Sequence, residues 1–523
     1  MSYDYIIVGG GIAGLNTALK LSDSKTKILL LERNSRLGGR LYSFQDKKIS
    51  YEAGGARFHK GNKNLFELIK MFNLEDDIFE IPNTKEFIPV KKTYSKKLDV
   101  NKIIKTLIDK SENFKKEELL KINLLEFSDK IFDKKTSDYL SAAFEYVSEL
   151  EDLNAYEALD TFKNDMSNDF QFYLFKKGFV SLLDKIKEFI KTNGCIVKTQ
   201  HTLMDFKKSK DAFHLKVLSG DKDKKFKTKK LILALNKPPL ENLSYLKSLK
   251  PEFNSVKTIP LLRIYAVYPP DKKTGKVWFD GMGKVVTDLE IKYIIPIDYK
   301  SGLIMISYTD QKLAEYWNKF INKGPEKLEE ELLRQLKILF PKKKIPKTTF
   351  LKSHYWSDGM TVWKKNYEAE PIIKKMLKPF EDDNLYICGS NFSGRQAWTE
   401  GALETSEEVI KLIHGIKTNK KLHHQKETKK GGGRKKKSSK KKKKSKKIKK
   451  YTRAQVAKHN KPSDLWIIIN KKVLDVTKWQ HSHPGSPAPL RAFAGKDATE
   501  AFTYRGHSDN AKKIMKKYII GKV

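Results

Sequence analysis

The apolar positions change period several times along the chain, and each change predicts an element. Tyr5-Ile6-Ile7-Val8 is an uninterrupted apolar run of strand length, the pattern of a parallel strand buried on both faces. Helical spacing takes over from Leu15 to about Leu21. A second apolar run, Ile28 to Leu31, predicts the next strand, with Glu32 at its end. Between about 81 and 175 the pattern is charged and helical, as in Leu119-Leu120-Lys121-Ile122-Asn123-Leu124-Leu125. From about 241 to 375 it alternates with period two, as in Leu262-Arg263-Ile264-Tyr265-Ala266-Val267-Tyr268 and Leu303-Ile304-Met305-Ile306-Ser307-Tyr308, which predicts sheet. Apolar residues almost vanish between about Lys420 and Lys450 and return over 451–523. No run approaches the roughly 18 apolar residues of a membrane span, and no internal repeat is visible.

The turn after the first strand carries chemistry. Gly9-Gly10-Gly11-Ile12-Ala13-Gly14 links strand to helix, and Glu32 closes the following strand. Strand, glycine turn, helix, strand and acid form a dinucleotide-binding fingerprint. Gly9 allows the tight turn, Gly11 lets a pyrophosphate sit on the helix N-terminus, and Gly14 lets helix and strand pack closely. Glu32 can accept the ribose hydroxyls.

Further blocks decide which dinucleotide. Glu32-Arg33-Asn34-Ser35-Arg36-Leu37-Gly38-Gly39-Arg40 and Glu52-Ala53-Gly54-Gly55-Ala56-Arg57-Phe58 follow in order. Lys177-Gly178-Phe179, Leu231-Ile232-Leu233-Ala234-Leu235-Asn236, Leu385-Tyr386-Ile387-Cys388-Gly389-Ser390 and Trp398-Thr399-Glu400-Gly401-Ala402 complete the set. This order resembles the FAD-dependent amine oxidase superfamily across residues 1–418. The resemblance implies a Rossmann-type FAD-binding domain, assembled from about 1–80, 176–240 and 376–418. It also implies an α+β substrate domain from about 81–175 and 241–375. It assigns the cofactor to Gly9, Gly11, Gly14, Glu32, Arg33, Gly39, Arg40, Gly54, Gly55, Ala56, Arg57, Gly389, Ser390, Glu400, Gly401 and Ala402. The helix starting near Trp398 would face the electron-rich edge of the isoalloxazine and stabilise negative charge there.

Within that resemblance, Arg57 stands where L-amino-acid oxidases and tryptophan monooxygenases carry an arginine in a Gly-x-x-Arg frame. A guanidinium there can grip a carboxylate bidentately; the other reading is a contact to the cofactor or a neighbouring acid. Trp398 corresponds to an aromatic wall beside the flavin. Arg263 aligns with a lysine that bridges through water to flavin N5, and a guanidinium cannot readily release a proton. Gly389-Ser390 replaces a frequent Gly-Glu. Met360 lies near the position where some monoamine oxidases attach FAD through Cys, so the FAD should be non-covalent. Ser148-Glu149-Leu150-Glu151-Asp152-Leu153-Asn154-Ala155-Tyr156 resembles a recurring helical segment of amino-acid-oxidase-like members.

The C-terminal block has its own pattern. His483 and His507 stand 24 residues apart, in His483-Pro484-Gly485-Ser486 and Gly506-His507-Ser508, with Ala494-Gly495-Lys496-Asp497-Ala498-Thr499 between them and Asp464-Leu465-Trp466 before. Residues 451–523 resemble a cytochrome b5 domain, a small α+β fold. The resemblance implies a non-covalent b-type haem held by His483 and His507, with no open iron site, relaying single electrons. Ser486, Pro487 and Pro489 depart from the family's open turn without removing a ligand.

Composition narrows the setting. The chain has 523 residues, a net charge of +42 and two cysteines, Cys195 and Cys388, which points to an intracellular protein without a disulfide framework. No secretory segment precedes the first strand, so the expectation is a soluble protein, cytoplasmic or nuclear. Residues 429–450 hold fifteen Lys or Arg and no acid, residues 451–523 carry a net +9, and +18 remains on residues 1–428. The 419–450 stretch reads as a disordered polybasic linker, extended by like charge. It offers non-specific attraction to nucleic acid or an anionic surface, but has no aromatic residue for base stacking.

The expected function is FAD-dependent oxidation of a small-molecule amine or L-amino acid to the imine, with electrons leaving to oxygen, a redox partner or the fused haem. Two alternatives stand beside it. One is a desaturase acting on an isoprenoid or porphyrinogen-like compound. The other is a basic nucleic-acid-associated binding protein with vestigial cofactor domains. For the haem, either His483→Ala or His507→Ala should abolish a low-spin b-type spectrum while leaving flavin absorbance intact. A full chain that folds yet takes up no haem would refute the assignment.

Overall fold

The computed structural model describes residues 2–23, 25–46, 49–92, 94, 96–166, 170–416, 449–482, 488–499, 502 and 515–523. The chain divides into two compact units, Met1–Glu427 and Thr428–Val523.

The first unit is built on two large sheets, beside a two-stranded and a three-stranded one. In one, Leu385–Ile387, Lys222–Leu233, Ser2–Val8, Ile28–Leu31 and Ile196–Lys198 run parallel, and the antiparallel strands Thr202–Ser209 and Ala212–Ser219 extend it. Ile6, Ile7, Leu29, Leu30, Leu231, Ile232 and Leu233 are fully buried, which is why these strands read as unbroken apolar runs. Helix Ile12–Leu21 lies on this sheet and packs beside helix Thr399–Ile413. Register sets the ends level: Val8 pairs with Leu31 and Leu233, and Leu233 with Ile387. Gly9, Glu32, Ala234 and Cys388 therefore leave the sheet side by side at its carboxyl edge, where parallel α/β sheets bind ligands.

The second sheet has the order Phe350–Trp363, Val256–Val267, Leu303–Asp310, Tyr293–Asp298, Lys284–Thr287 and Lys85–Ile88. The period-two reading of 262–268 and 303–308 falls on two neighbouring interior strands. The same region holds two long helices that this reading passes over, Gln311–Ile321 and Pro325–Leu339. They cover the sheet, with Trp317, Leu332 and Leu336 buried against Leu262, Ile264, Ile304 and Ile306. The helical reading of 119–125 also needs correction. Helix Lys116–Leu120 stops and Leu124–Ile131 begins afresh, because Asn123 and Glu126 form a reciprocal capping box, each side chain accepting the other's backbone N–H at 2.8 Å.

Helices and sheet are locked together at Asp310. Its buried carboxylate accepts from Val147 N at 3.2 Å and from Ser148 N and Oγ at 2.9 and 2.5 Å, at the start of helix Val147–Glu151. Nearby Lys292 is also buried, donates to the carbonyls of Ser141 and Ala142, and is pushed down to about 8 by that burial.

The second unit is a five-stranded sheet, Lys449–Lys450, Ile519–Lys522, Lys472–Asp475, Asp464–Ile469 and Asn460–Lys461. Leu465, Ile467, Ile469, Leu474, Val476 and Ala498 form its core. The polybasic stretch up to residue 448, His483 and His507 all lie outside the described residues.

Asp310→Ala strands two buried N–H groups and a hydroxyl. It should destabilise the first unit by about 2–4 kcal/mol, read as a lowered urea midpoint. A shift within about 0.5 kcal/mol would mean that this lock carries little.

Candidate flavin and substrate site

The glycine turn explains how a ligand can reach the sheet edge. Gly9 has φ +109°, a conformation that L side chains rarely adopt, and a Cβ on Gly14 would run into the Gly9 carbonyl. Gly11 caps helix Ile12–Leu21 with no side-chain acceptor on its first N–H groups. Gly38 N donates to Gly10 O at 2.8 Å, which lays the second glycine pair over the first. A Cβ on Gly11 would find only the Gly39 Cα, 4.0 Å away. Two side-chain-free backbones thus face each other above a helix N-terminus, the arrangement that cradles a pyrophosphate. The residues fit FAD.

Glu32 is buried and already anchored. Its Oε2 accepts from Gly10 N at 2.7 Å, and Oε1 accepts from Asn34 N and Nδ2 at 2.8 and 2.7 Å. Oε1 is met by two donors, whereas Oε2, with one, keeps a lone pair for a ribose hydroxyl. Arg33 is exposed. The neighbouring Arg36, which the sequence reading did not single out, shapes the loop instead. Its guanidinium donates to the carbonyls of Leu37, Gly39 and Leu41 and lies 4.2 Å from the Tyr42 ring centre.

Arg40 ties two distant blocks together, donating to Ser390 Oγ at 2.8 Å and Gly359 O at 3.3 Å; burial pulls it down to about 10. Segment 53–55 rides on this arm through Ala53 N and Gly54 N to Tyr42 O and Gly55 N to Arg40 O. Ala56 follows, partly buried. Gly389 N donates to Thr405 Oγ1 at 2.9 Å, and Asn391 Nδ2 to Leu235 O at 3.0 Å, which fixes Gly389 and Ser390 over the same sheet edge.

Trp398 is the N-cap residue of helix Thr399–Ile413, with Gly401 and Ala402 buried in its first turn. Glu400, which the resemblance assigns to the cofactor, is also employed within the protein. Its buried carboxylate caps helix Lys63–Met71, accepting from Asn64 N and Nδ2 at 2.8 and 3.0 Å and from Leu65 N at 3.1 Å. Burial raises it to about 7.

Arg57 stands among rings. Its guanidinium carbon lies 4.9 Å from the Phe172 ring centre, 5.5 Å from Tyr146 and 5.7 Å from Trp398. Among the described residues it donates to no carbonyl and pairs with no carboxylate. Burial works against its charge, but the phenols of Tyr146 and Tyr293 and the Glu145 carboxylate more than offset that, so its affinity for the proton is raised. Glu145 itself is paired with Lys85. Tyr146 and Phe172 were missed in sequence because isolated aromatics in a charged helical region look like core.

Arg263 sits across the same phenols, 4.5 Å from the Tyr308 ring centre. Its Nη1 donates to Glu52 O at 2.9 Å and to Gly54 O, and Tyr265 Oη donates to Glu52 O at 2.6 Å. The residue aligned with the family lysine is thus a clamp on the segment leading to Gly54 and Gly55. Behind it, His354 Nε2 meets Tyr51 Oη at 3.0 Å, and burial, then Lys352 and Arg263, push His354 down to about 4.

Comparison with known proteins agrees with this geometry. The model of the flavin containing amine oxidoreductase family matches residues 12–409, and the chain belongs to that family, whose members are FAD-dependent oxidoreductases. Residues 452–523 match the cytochrome b5-like heme/steroid binding domain. Over 75 residues the chain is 49% identical to cytochrome b5 of Drosophila melanogaster and 47% to that of Borago officinalis, 14% of this chain in both cases. It spans only 56% and 57% of those two proteins. A solved structure described as a putative protoporphyrinogen oxidase from Exiguobacterium sp. 255-15 aligns with a TM-score of 0.58 at 16% identity, covering 78% of this chain and 98% of that one. It shares the fold. Among the described residues no helix is long and apolar enough to cross a membrane, and both cysteines are free and buried.

His354 gives the site a pH signature. The unfolded chain takes up its proton near pH 6.5, whereas folded His354 refuses it until about 4. The unfolded state therefore binds more protons between these values, and stability falls as pH falls through that window. His354→Phe should flatten the loss between pH 7 and 5 in urea titrations. An unchanged slope would show that His354 does not contribute to it.

Proposed function

We propose that the first unit oxidises a small amine, and preferentially an L-amino acid, to its imine, which water then converts to a carbonyl compound and ammonia. The observation that supports this reading is the Arg57 guanidinium, ringed by Phe172, Tyr146 and Trp398 and unpaired among the described residues. A cation held in an aromatic box carries a strong field and free donors, which suits a substrate carboxylate. FAD, when bound, supplies the two-electron acceptor for the carbon that bears the amine. The chain's own residues do the rest. Arg57 would orient the substrate, Trp398 would wall one side, and Arg263 would hold the 52–54 backbone in place. A desaturase for an isoprenoid has less support, because a guanidinium with free donors has no partner in an apolar tunnel; a porphyrinogen-like compound, whose carboxylates could also meet Arg57, is told apart by the substrate that reduces the flavin.

The b-type haem, bound through His483 and His507, would supply one-electron transfer, with oxygen as the competing acceptor. Residues 1–418, 419–450 and 451–523 then serve as oxidase, tether and haem module. The charge of the tether supports attraction to anionic surfaces, and nothing in its composition supports the reading of bases.

If Arg57 grips a carboxylate, Arg57→Ala should cost about 2–3 kcal/mol in kcat/KM for an amino acid, expressed mainly in KM. The matching amine without a carboxylate should suffer far less. Equal losses for both substrates would assign Arg57 to the cofactor.

A further inference from the structure

A cleft with one polar and one apolar set of lining residues opens next to the Arg57 box, and the amino-acid reading leaves it without a role. It lies between helices Val147–Glu151 and Ala155–Asn164, strand Phe350–Trp363 and the loop before Trp398. Both of its walls continue from the rings around Arg57. Three residues after Tyr146, Glu149 lines the cleft, and Gln396 and Ala397 line it just before Trp398.

Two of its polar side chains present unpartnered oxygens, beside the apolar Leu153, Met360, Val362 and Trp363. Glu149 is 9% exposed, and its Oε2 has no hydrogen-bond partner. Gln396 spends its amide N–H groups on Asn391 O at 2.6 Å and Thr361 Oγ1 at 3.4 Å, which leaves its buried Oε1 without a partner as well. Thr361 in turn donates to Asn391 O at 3.3 Å. A second carboxyl, Glu157, lines the cleft, and among the described residues no Lys or Arg does. An unmade hydrogen bond at a buried polar atom is costly, so two unpartnered oxygens on one cleft suit a ligand rich in donors. An ammonium brings three donors and a compensating charge. Burial and the neighbouring Asp310 carboxylate raise Glu149 to about 8, while Arg57, Glu145 and Lys85 are the other charges it feels. An arriving cation would therefore displace a proton and find its counter-charge.

We propose that this cleft receives the far, positively charged end of the substrate, so that the preferred substrates are α-amino acids with a cationic side chain. The inference rests on the amino-acid reading of Arg57 and extends it. Arg57 would hold the carboxylate, and Glu149 with Gln396 would hold the distal ammonium or guanidinium. Glu149 is a specificity residue here, remote from the carbon that is oxidised.

The test compares L-lysine with L-norleucine, which has the same chain length without the ε-ammonium. The full-length FAD-loaded protein is mixed with each under anaerobic conditions, and flavin bleaching gives kcat/KM. Wild type should prefer lysine by about 100-fold, the scale of a buried charge-assisted contact, and Glu149→Gln should collapse that ratio toward one. The wild-type comparison stands even if the variant fails to fold. Norleucine reducing the flavin as well as lysine does would overturn this inference and leave the amino-acid reading intact. A lysine preference that survives Glu149→Gln would also overturn it. If lysine, norleucine and their decarboxylated amines all fail to reduce the flavin, the amine reading falls, and this inference with it.

Discussion

The level ending of the parallel strands is the constraint on which the rest of the first unit depends. Val8, Leu31, Leu233 and Ile387 stop in register, so four chain segments from distant parts of the sequence emerge onto one edge. Hydrophobic burial on both faces fixes that register, because a one-residue slip would turn buried side chains toward the wrong layer. Only with the ends level can the Gly9 turn, Glu32, Ala234 and the Gly389 turn share a single ligand. The glycines then remove the side chains that would obstruct it. Gly14 is needed because helix and strand approach until a Cβ would strike the Gly9 carbonyl.

A second constraint is the burial of charge in the substrate region. Arg57 and Arg263 are both held among phenols, and Lys85, Glu145, Asp310 and Lys292 lie close by. Such a network is expensive unless each member is satisfied. Most are: Arg263 by two carbonyls, Glu145 by Lys85, and Asp310 by the start of helix Val147–Glu151. Arg57 and Glu149 stand apart. Among the described residues no carbonyl or carboxylate completes Arg57, and Glu149 Oε2 has no hydrogen-bond partner. Structural charges are paired by the protein. On the proposed reading, Arg57 and Glu149 are the charges left for the substrate.

How much of this was legible in the sequence depends on the kind of signal. The glycine turn and Glu32 were readable because backbone geometry demands particular residues at particular spacings, and the fold places them together. Two interior strands of the second sheet were readable from their alternation. Helices Gln311–Ile321 and Pro325–Leu339 were passed over because a local period-two signal was extended across a region that changes period within it. The capping box at Asn123 was overlooked for a related reason: apolar positions on either side mimic one helix, and only the Asn–Glu pair three apart marks the break. Side-chain employment was the least legible. Glu400 and Arg263 have motif positions that suggest cofactor chemistry, and no motif announces that Glu400 also caps a helix and Arg263 clamps a backbone segment, facts that depend on which elements meet in space.

The fusion sets a stoichiometric condition on the amine-oxidising reading. Oxidation of an amine to an imine releases two electrons at once, whereas an iron held between two imidazoles stores one and has no open site for oxygen. A single haem module cannot therefore take both electrons from one turnover unless it discharges in between. On this reading the haem acts as a relay and not as a terminal acceptor.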